Sequence, residues 1–163
     1  MRSFNALSCC TLLAAALLAG CTTPPPAGST RDEVLRAWGA PTARHALPAG
    51  GERLEYASGP YGRTTWMLDV DAGGRLVQSR QVLGEAEFAR VQQAGELTRD
   101  ELLRWIGTPG ERRGIARPPA EVWSWRYPTN DCLQFEATVS ADGRVHGTGY
   151  GIDRRCDPPS DRD

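Results

Sequence analysis

Side chains able to do acid–base, nucleophilic or metal chemistry are few in this chain, and their spacing assembles no reaction centre. His45 and His146 are the two histidines. They stand far apart in sequence, and no G-x-S-x-G turn presents a serine as a hydrolase nucleophile requires. Zinc asks for closely spaced thiolates or imidazoles, and no C-x-x-C accompanies the two imidazoles. Asp32 with Glu33, and Asp100 with Glu101, are neighbouring carboxylates. Adjacent helical residues point in different directions, so these pairs suit the positive end of a helix better than a general acid and base facing one substrate. Gly147, Gly149 and Gly151 spell G-x-G-x-G on a predicted strand. A phosphate cradle needs backbone amides at a helix N-terminus, so the glycines are read as room for a helix or an aromatic ring to approach the sheet. The expectation is a protein that is not an enzyme and carries no metal or cofactor.

The thiols carry a different kind of chemistry. Arg2 in a short leader is followed by an apolar run, Leu12 to Leu18, and then by Ala19-Gly20-Cys21. A positive start, a short apolar core and small residues before the cut describe an export signal, and the run is too short to span a bilayer. Ala19-Gly20-Cys21 resembles the bacterial lipobox. That resemblance implies cleavage before Cys21 and acylation of its thiol, palmitate included, which anchors a protein without a transmembrane segment. Thr22, where Asp would favour inner-membrane retention, implies by resemblance to known lipoprotein sorting that the anchor sits in the outer membrane, on the periplasmic face. Cys9 and Cys10 leave with the leader, so Cys132 and Cys156 remain as an even pair. In an oxidising periplasm a disulfide is the default, worth roughly 3 to 4 kcal/mol for a loop of that length in the chain-entropy model.

Charge adds little direction. Net charge is −1, and all 19 Lys+Arg positions are Arg. No basic stripe marks a nucleic-acid partner.

The elements that position these residues are written twice. Thr30 to Pro41 reads TRDEVLRAWGAP and Thr98 to Pro109 reads TRDELLRWIGTP, with eight identities at an offset of 68. Val70 to Leu76, VDAGGRL, matches Val139 to Val145, VSADGRV, at an offset of 69. That period is too long for a solenoid turn, where units run about 20 to 50 residues, so a tandem pair of small domains is expected. Ser29 or Thr30 caps the first helix, Asp32 and Glu33 meet its dipole, and Gly39 with Pro41 stops it. Thr98 to Pro109 repeats the design, preceded by a helix at Glu85 to Gln93. Period-two runs then follow: Leu54 and Tyr56 match Trp123, Trp125 and Tyr127, and Trp66, Leu68 and Val70 match Phe135, Ala137 and Val139. Asp71 to Gly74 and Ser140 to Gly143 read as hairpin turns, leading to third strands at Leu76 to Leu83 and Val145 to Ile152. Each unit is expected to be α+β, with one or two helices on a three-stranded antiparallel sheet. The divisions are a signal peptide at 1–20, a Pro-rich tether at 21–29, units at 30–83 and 84–156, and a tail at 157–163.

A lipobox, a capped helix T-x-x-E-[VL]-L ending in G-x-P, an aromatic strand and a hairpin V-x-A-x-G-R-[LV] together resemble the SmpA/OmlA/BamE lipoprotein family, once per unit. The resemblance implies a helix–helix–sheet fold and a non-catalytic accessory role in outer-membrane β-barrel assembly or envelope integrity. Tandem duplication departs from the family's single unit. It also resembles the secreted β-lactamase inhibitor protein, which implies as an alternative a binder of a periplasmic enzyme; a structural lipoprotein linking membrane and cell wall is a separate alternative. The candidate partner contacts are Trp123 and Trp125, which serve either as core or as an interface anchor, and Arg112 with Arg113 in the variable loop.

Overall fold

The computed structural model describes residues 23–156. The leader, Cys21 and the 157–163 tail lie outside the described residues. Within them, three α-helices and two antiparallel sheets follow in the order α1 (Arg31–Trp38), β1 (Ala43–Ala46), β2 (Glu52–Ala57), β3 (Thr65–Val70), β4 (Leu76–Gln81), α2 (Glu85–Gln93), β5 (Leu97–Thr98), α3 (Arg99–Ile106), β6 (Glu111–Ile115), β7 (Ala120–Arg126), β8 (Leu133–Ser140) and β9 (Arg144–Ile152). Sheet 1 runs β1-β2-β3-β4 and sheet 2 runs β5-β9-β8-β7-β6.

Both repeated helices form for the same local reason. Thr30 Oγ1 accepts from Glu33 N while Glu33 Oε2 accepts from Thr30 N, and Thr98 with Glu101 makes the same reciprocal pair. Each box satisfies two amides that the first turn leaves without partners. The Thr98 backbone and hydroxyl hydrogen bonds hold the Glu101 carboxyl below its ordinary pKa, and those from Thr30 do the same for Glu33. Thr98→Ala is expected to cost about 1 kcal/mol, measured by urea denaturation. A change near zero would mean that tertiary packing alone holds the α3 start. At the other end Gly39 and Gly107 take positive φ (77° and 82°) and donate their amides to Leu35 and Leu103, closing the helices as a left-handed cap position allows.

The sheets have four and five strands, not three each. The loop after each G-x-P carries an extra strand, β1 and β6, hairpinned onto β2 and β7 in the registers Arg44↔Leu54 and Arg112↔Trp123. All five residues of β6 are exposed. Its ERRGI sequence therefore lacks the apolar alternation by which a strand is recognised. The end of the tether is also structured: Gly28 N donates to Leu76 O at 2.7 Å and Leu76 N donates to Ser29 O at 2.8 Å. This lays residues 28–30 along the start of β4.

Two cores result. On one face of sheet 1, Leu54, Leu68, Val70 and Leu76 close over Val34 of α1, with Trp38 against Tyr56 at the rim. The second core joins Phe88 and Val91 of α2, Leu102 and Ile106 of α3, and Trp123, Trp125, Tyr127, Phe135, Ala137 and Val139 of sheet 2. Phe88 stacks on Phe135 with centroids 4.2 Å apart. Met67 belongs to this second core although it lies on β3 of sheet 1. Alternate residues of a strand face opposite sides, so β3 sends Leu68 to α1 and Met67 to α3. Helix α3 thus lies between the two sheets, and the layers run α1, sheet 1, α2 with α3, sheet 2.

Candidate interaction surface

Trp123 and Trp125 are each only 1% exposed, which corrects the expectation that they could be surface anchors. Their strand β7 lies between β6 and β8, and its inward face meets α3. Trp125 Nε1 donates to the Gly107 carbonyl at 3.0 Å, so its ring is buried and its one polar atom is satisfied. Trp123 Nε1 donates to Glu121 at 2.7 Å.

Arg112 and Arg113 part company on β6, because strand neighbours point to opposite faces. The Arg112 guanidinium lies 4.2 Å from the Trp123 ring centroid, a cation–π contact that roofs the buried indole. Arg113 sits opposite Val122 on the other face. Beside Arg112 opens a groove of about 510 Å³ bordered by Arg99, Ile115, Pro119, Trp123 and Val139. β6 is the outer strand of sheet 2, so one row of its backbone amides and carbonyls is free for pairing. The sheet edge, the Arg112 and Arg99 side chains and a groove of mixed polar and apolar lining coincide here. Among the predicted contacts, Arg112 borders this groove over the edge of the buried Trp123, Arg113 is exposed on the opposite face, and Trp125 lies in the core.

Cys132 and Cys156 lie at disulfide distance, with Cα atoms 5.8 Å apart. They tie the short 3-10 turn at Arg154–Cys156 to the loop before β8. The same corner holds a second cavity, of about 300 Å³, between the two sheets' loops. There Arg126 pairs with buried Asp153 and donates to the Tyr61 carbonyl at 2.9 Å, while the Arg155 guanidinium lies 3.4 Å from the Tyr61 ring centroid. These arginines are engaged in joining the second unit to the β2–β3 loop.

Sequence reasoning missed the one buried imidazole–carboxylate pair. Glu55 on β2 is 0% exposed; its Oε2 lies 3.0 Å from His45 Nε2 and its Oε1 accepts from Thr108 N at 2.8 Å. Burial works to raise its pKa and is the largest single influence, yet the hydrogen bonds from His45 and Thr108 together outweigh it and hold the carboxyl below its ordinary value. Its partners come from β1 and from the residue after the α3 cap, so Glu55 clamps sheet 1 to the C-terminal end of α3. Only the alternation of ERLEYA hinted that Glu55 faces away from Leu54. The glycine run also differs from expectation: Gly151 faces Glu136, whose carboxyl carbon would lie 2.6 Å from an added Cβ. A carboxylate, not a helix or ring, uses the space. Among the described residues no group of three or more His, Cys, Asp or Glu is placed to hold a metal ion, and no helix is long and apolar enough to cross a membrane.

Comparison of the chain with protein-family models, with curated proteins and with solved structures gives no match.

Proposed function

We infer that this chain is a lipid-anchored envelope protein of two BamE-like units, working as a non-catalytic protein-interaction module on the periplasmic face of the outer membrane. Its role is accessory to β-barrel assembly. The observation that carries the reading is the exposed edge strand β6, with Arg112 bordering its groove and Arg113 on the opposite face of the strand, in a chain whose Cys21 ends a lipobox-like segment. An unpaired edge accepts an extended segment of a partner through main-chain hydrogen bonds, and the flanking side chains select it. The enzyme-inhibitor alternative calls for one concave surface across both units. It finds less support, because α3 separates the two sheets.

Pull-down from detergent-solubilised envelopes with the lipidated protein as bait tests the role. Recovery of β-barrel assembly subunits is expected. A single soluble hydrolase would move the protein to the inhibitor class, peptidoglycan co-sedimentation to the cell-wall class, and an empty pull-down would overturn the assembly reading. Cys21→Ala is expected to move the protein from the membrane fraction to the soluble periplasm, read by fractionation and immunoblot. Persistence in the membrane fraction would remove the anchor from the proposal.

A further inference from the structure

Sheet 1 ends in two hairpin turns that touch each other. The β1–β2 turn carries Leu47, Pro48, Ala49 and Gly50, and the β3–β4 turn carries Ala72 and Gly73; a Cβ on Gly50 would sit 3.4 Å from the Ala72 methyl. With Val77, which is 55% exposed, they line a shallow and mainly apolar groove of about 510 Å³. Asp71 is its one charged lining residue, and its carboxylate is turned into its own hairpin, where Oδ1 accepts from Arg75 N at 2.9 Å. Pro48, Ala49, Ala72 and Val77 are exposed here, with Leu47 half-buried beside them, and these tips do nothing for the core, which lies under α1 and α3.

The route of the chain says what covers them. Gly28 and Ser29 are bonded to Leu76, and Arg31 N donates to Gly74 O at 2.9 Å. The polypeptide therefore leaves sheet 1 at this same end. Seven residues lead back from Gly28 to Cys21, uncharged and including three consecutive prolines. Ser29 N and Oγ donate to Pro26 O at 3.2 and 2.8 Å, forming a turn at the end of this segment; its seven residues would reach roughly 22 Å if fully extended at about 3.1 Å per residue, and the turn shortens that span. The opposite end of the sheet, the β2–β3 loop, is occupied by the second unit through Arg126 to Tyr61 O and Arg63 to Thr129 O.

We propose that the Leu47–Ala49 and Ala72–Val77 tip is a membrane-contact surface, seated at the lipid bilayer beside the acylated Cys21. This rests on the lipoprotein reading above. The anchor supplies the binding; the tip adds a weak apolar contact and fixes which end of the protein faces the lipid. The β6 edge, on the second sheet, is left free for its partner.

The test uses the full mature lipidated protein in phosphatidylcholine vesicles, with a nitrobenzoxadiazole label at Val77→Cys, at Ala72→Cys, or at the exposed Pro60→Cys as a control at the far end. Both tip labels are expected to shift to the blue, with quenching by doxyl-labelled lipid at least about threefold that of the control. Flotation with the vesicles but water-like emission at both tip positions would overturn the tip contact and leave the anchor intact. Failure of the protein to float would overturn the anchor reading and the tip contact with it.

Discussion

Trp125→Ala is expected to lower the unfolding free energy by about 3 to 5 kcal/mol, a large part of the 5 to 15 kcal/mol that small domains possess. The indole is 1% exposed and stands where three elements meet: its ring faces Trp123 and Phe135, and its Nε1 holds the carbonyl of Gly107 at the end of α3. Truncation opens a large cavity and also leaves that carbonyl without its donor. Trp125→Phe keeps most of the volume and loses the hydrogen bond, so its cost should be smaller. Chemical denaturation of the three proteins under matched conditions provides the comparison. A loss below about 1 kcal/mol for the alanine variant would mean that sheet 2 and α3 do not share this core.

Glu55→Ala should be comparably severe, at about 3 to 5 kcal/mol, because removing one member of a buried polar pair leaves the others unpaired. His45 loses its acceptor and Thr108 N loses its carboxylate oxygen. The effect also has a sign in pH. The folded-state pKa of Glu55 is lowered, so its contribution is fully present above the unfolded-state pKa and is lost as pH falls through the folded one. Wild-type stability should therefore decline in acid more steeply than that of Glu55→Gln, and the gap between them should narrow as pH drops below the ordinary carboxylate range. A gap that widens in acid would mean that burial wins and the carboxyl is protonated in the folded protein. Since Glu55 joins sheet 1 to the residue after the α3 cap, its loss should also weaken coupling between the units, visible as a second unfolding transition.

Much of the local structure was legible. The T-x-x-E boxes, the glycine stops and the period-two strands act over a few residues, and the same few residues carry the information. The α2 boundaries, Glu85–Gln93, came from the spacing of Phe88 and Val91. Strand β6 was not legible, because a strand exposed along its whole length has no hydrophobic period to display. Trp123 and Trp125 left core and interface both open, since an aromatic alternation looks the same whether a helix of the same chain or a foreign protein covers it. That Arg112 covers the Trp123 ring was not legible, because the two are eleven residues apart and meet only through the β6–β7 register.

The repeated segments, the three helices and the α+β class were determined by the sequence alone, through short-range sterics, capping hydrogen bonds and side-chain periodicity, while the added strands β1, β5 and β6 were not. The tertiary structure decided that α3 lies between the two sheets, that Glu55 is buried against it, and that the two hairpin tips meet where the chain departs toward Cys21. Each of these depends on which faces of distant elements are brought together. Sheet 1 offers two faces with nearly equal claims, Leu68 toward α1 and Met67 toward α3, and only the packing of the second unit onto the first tells them apart.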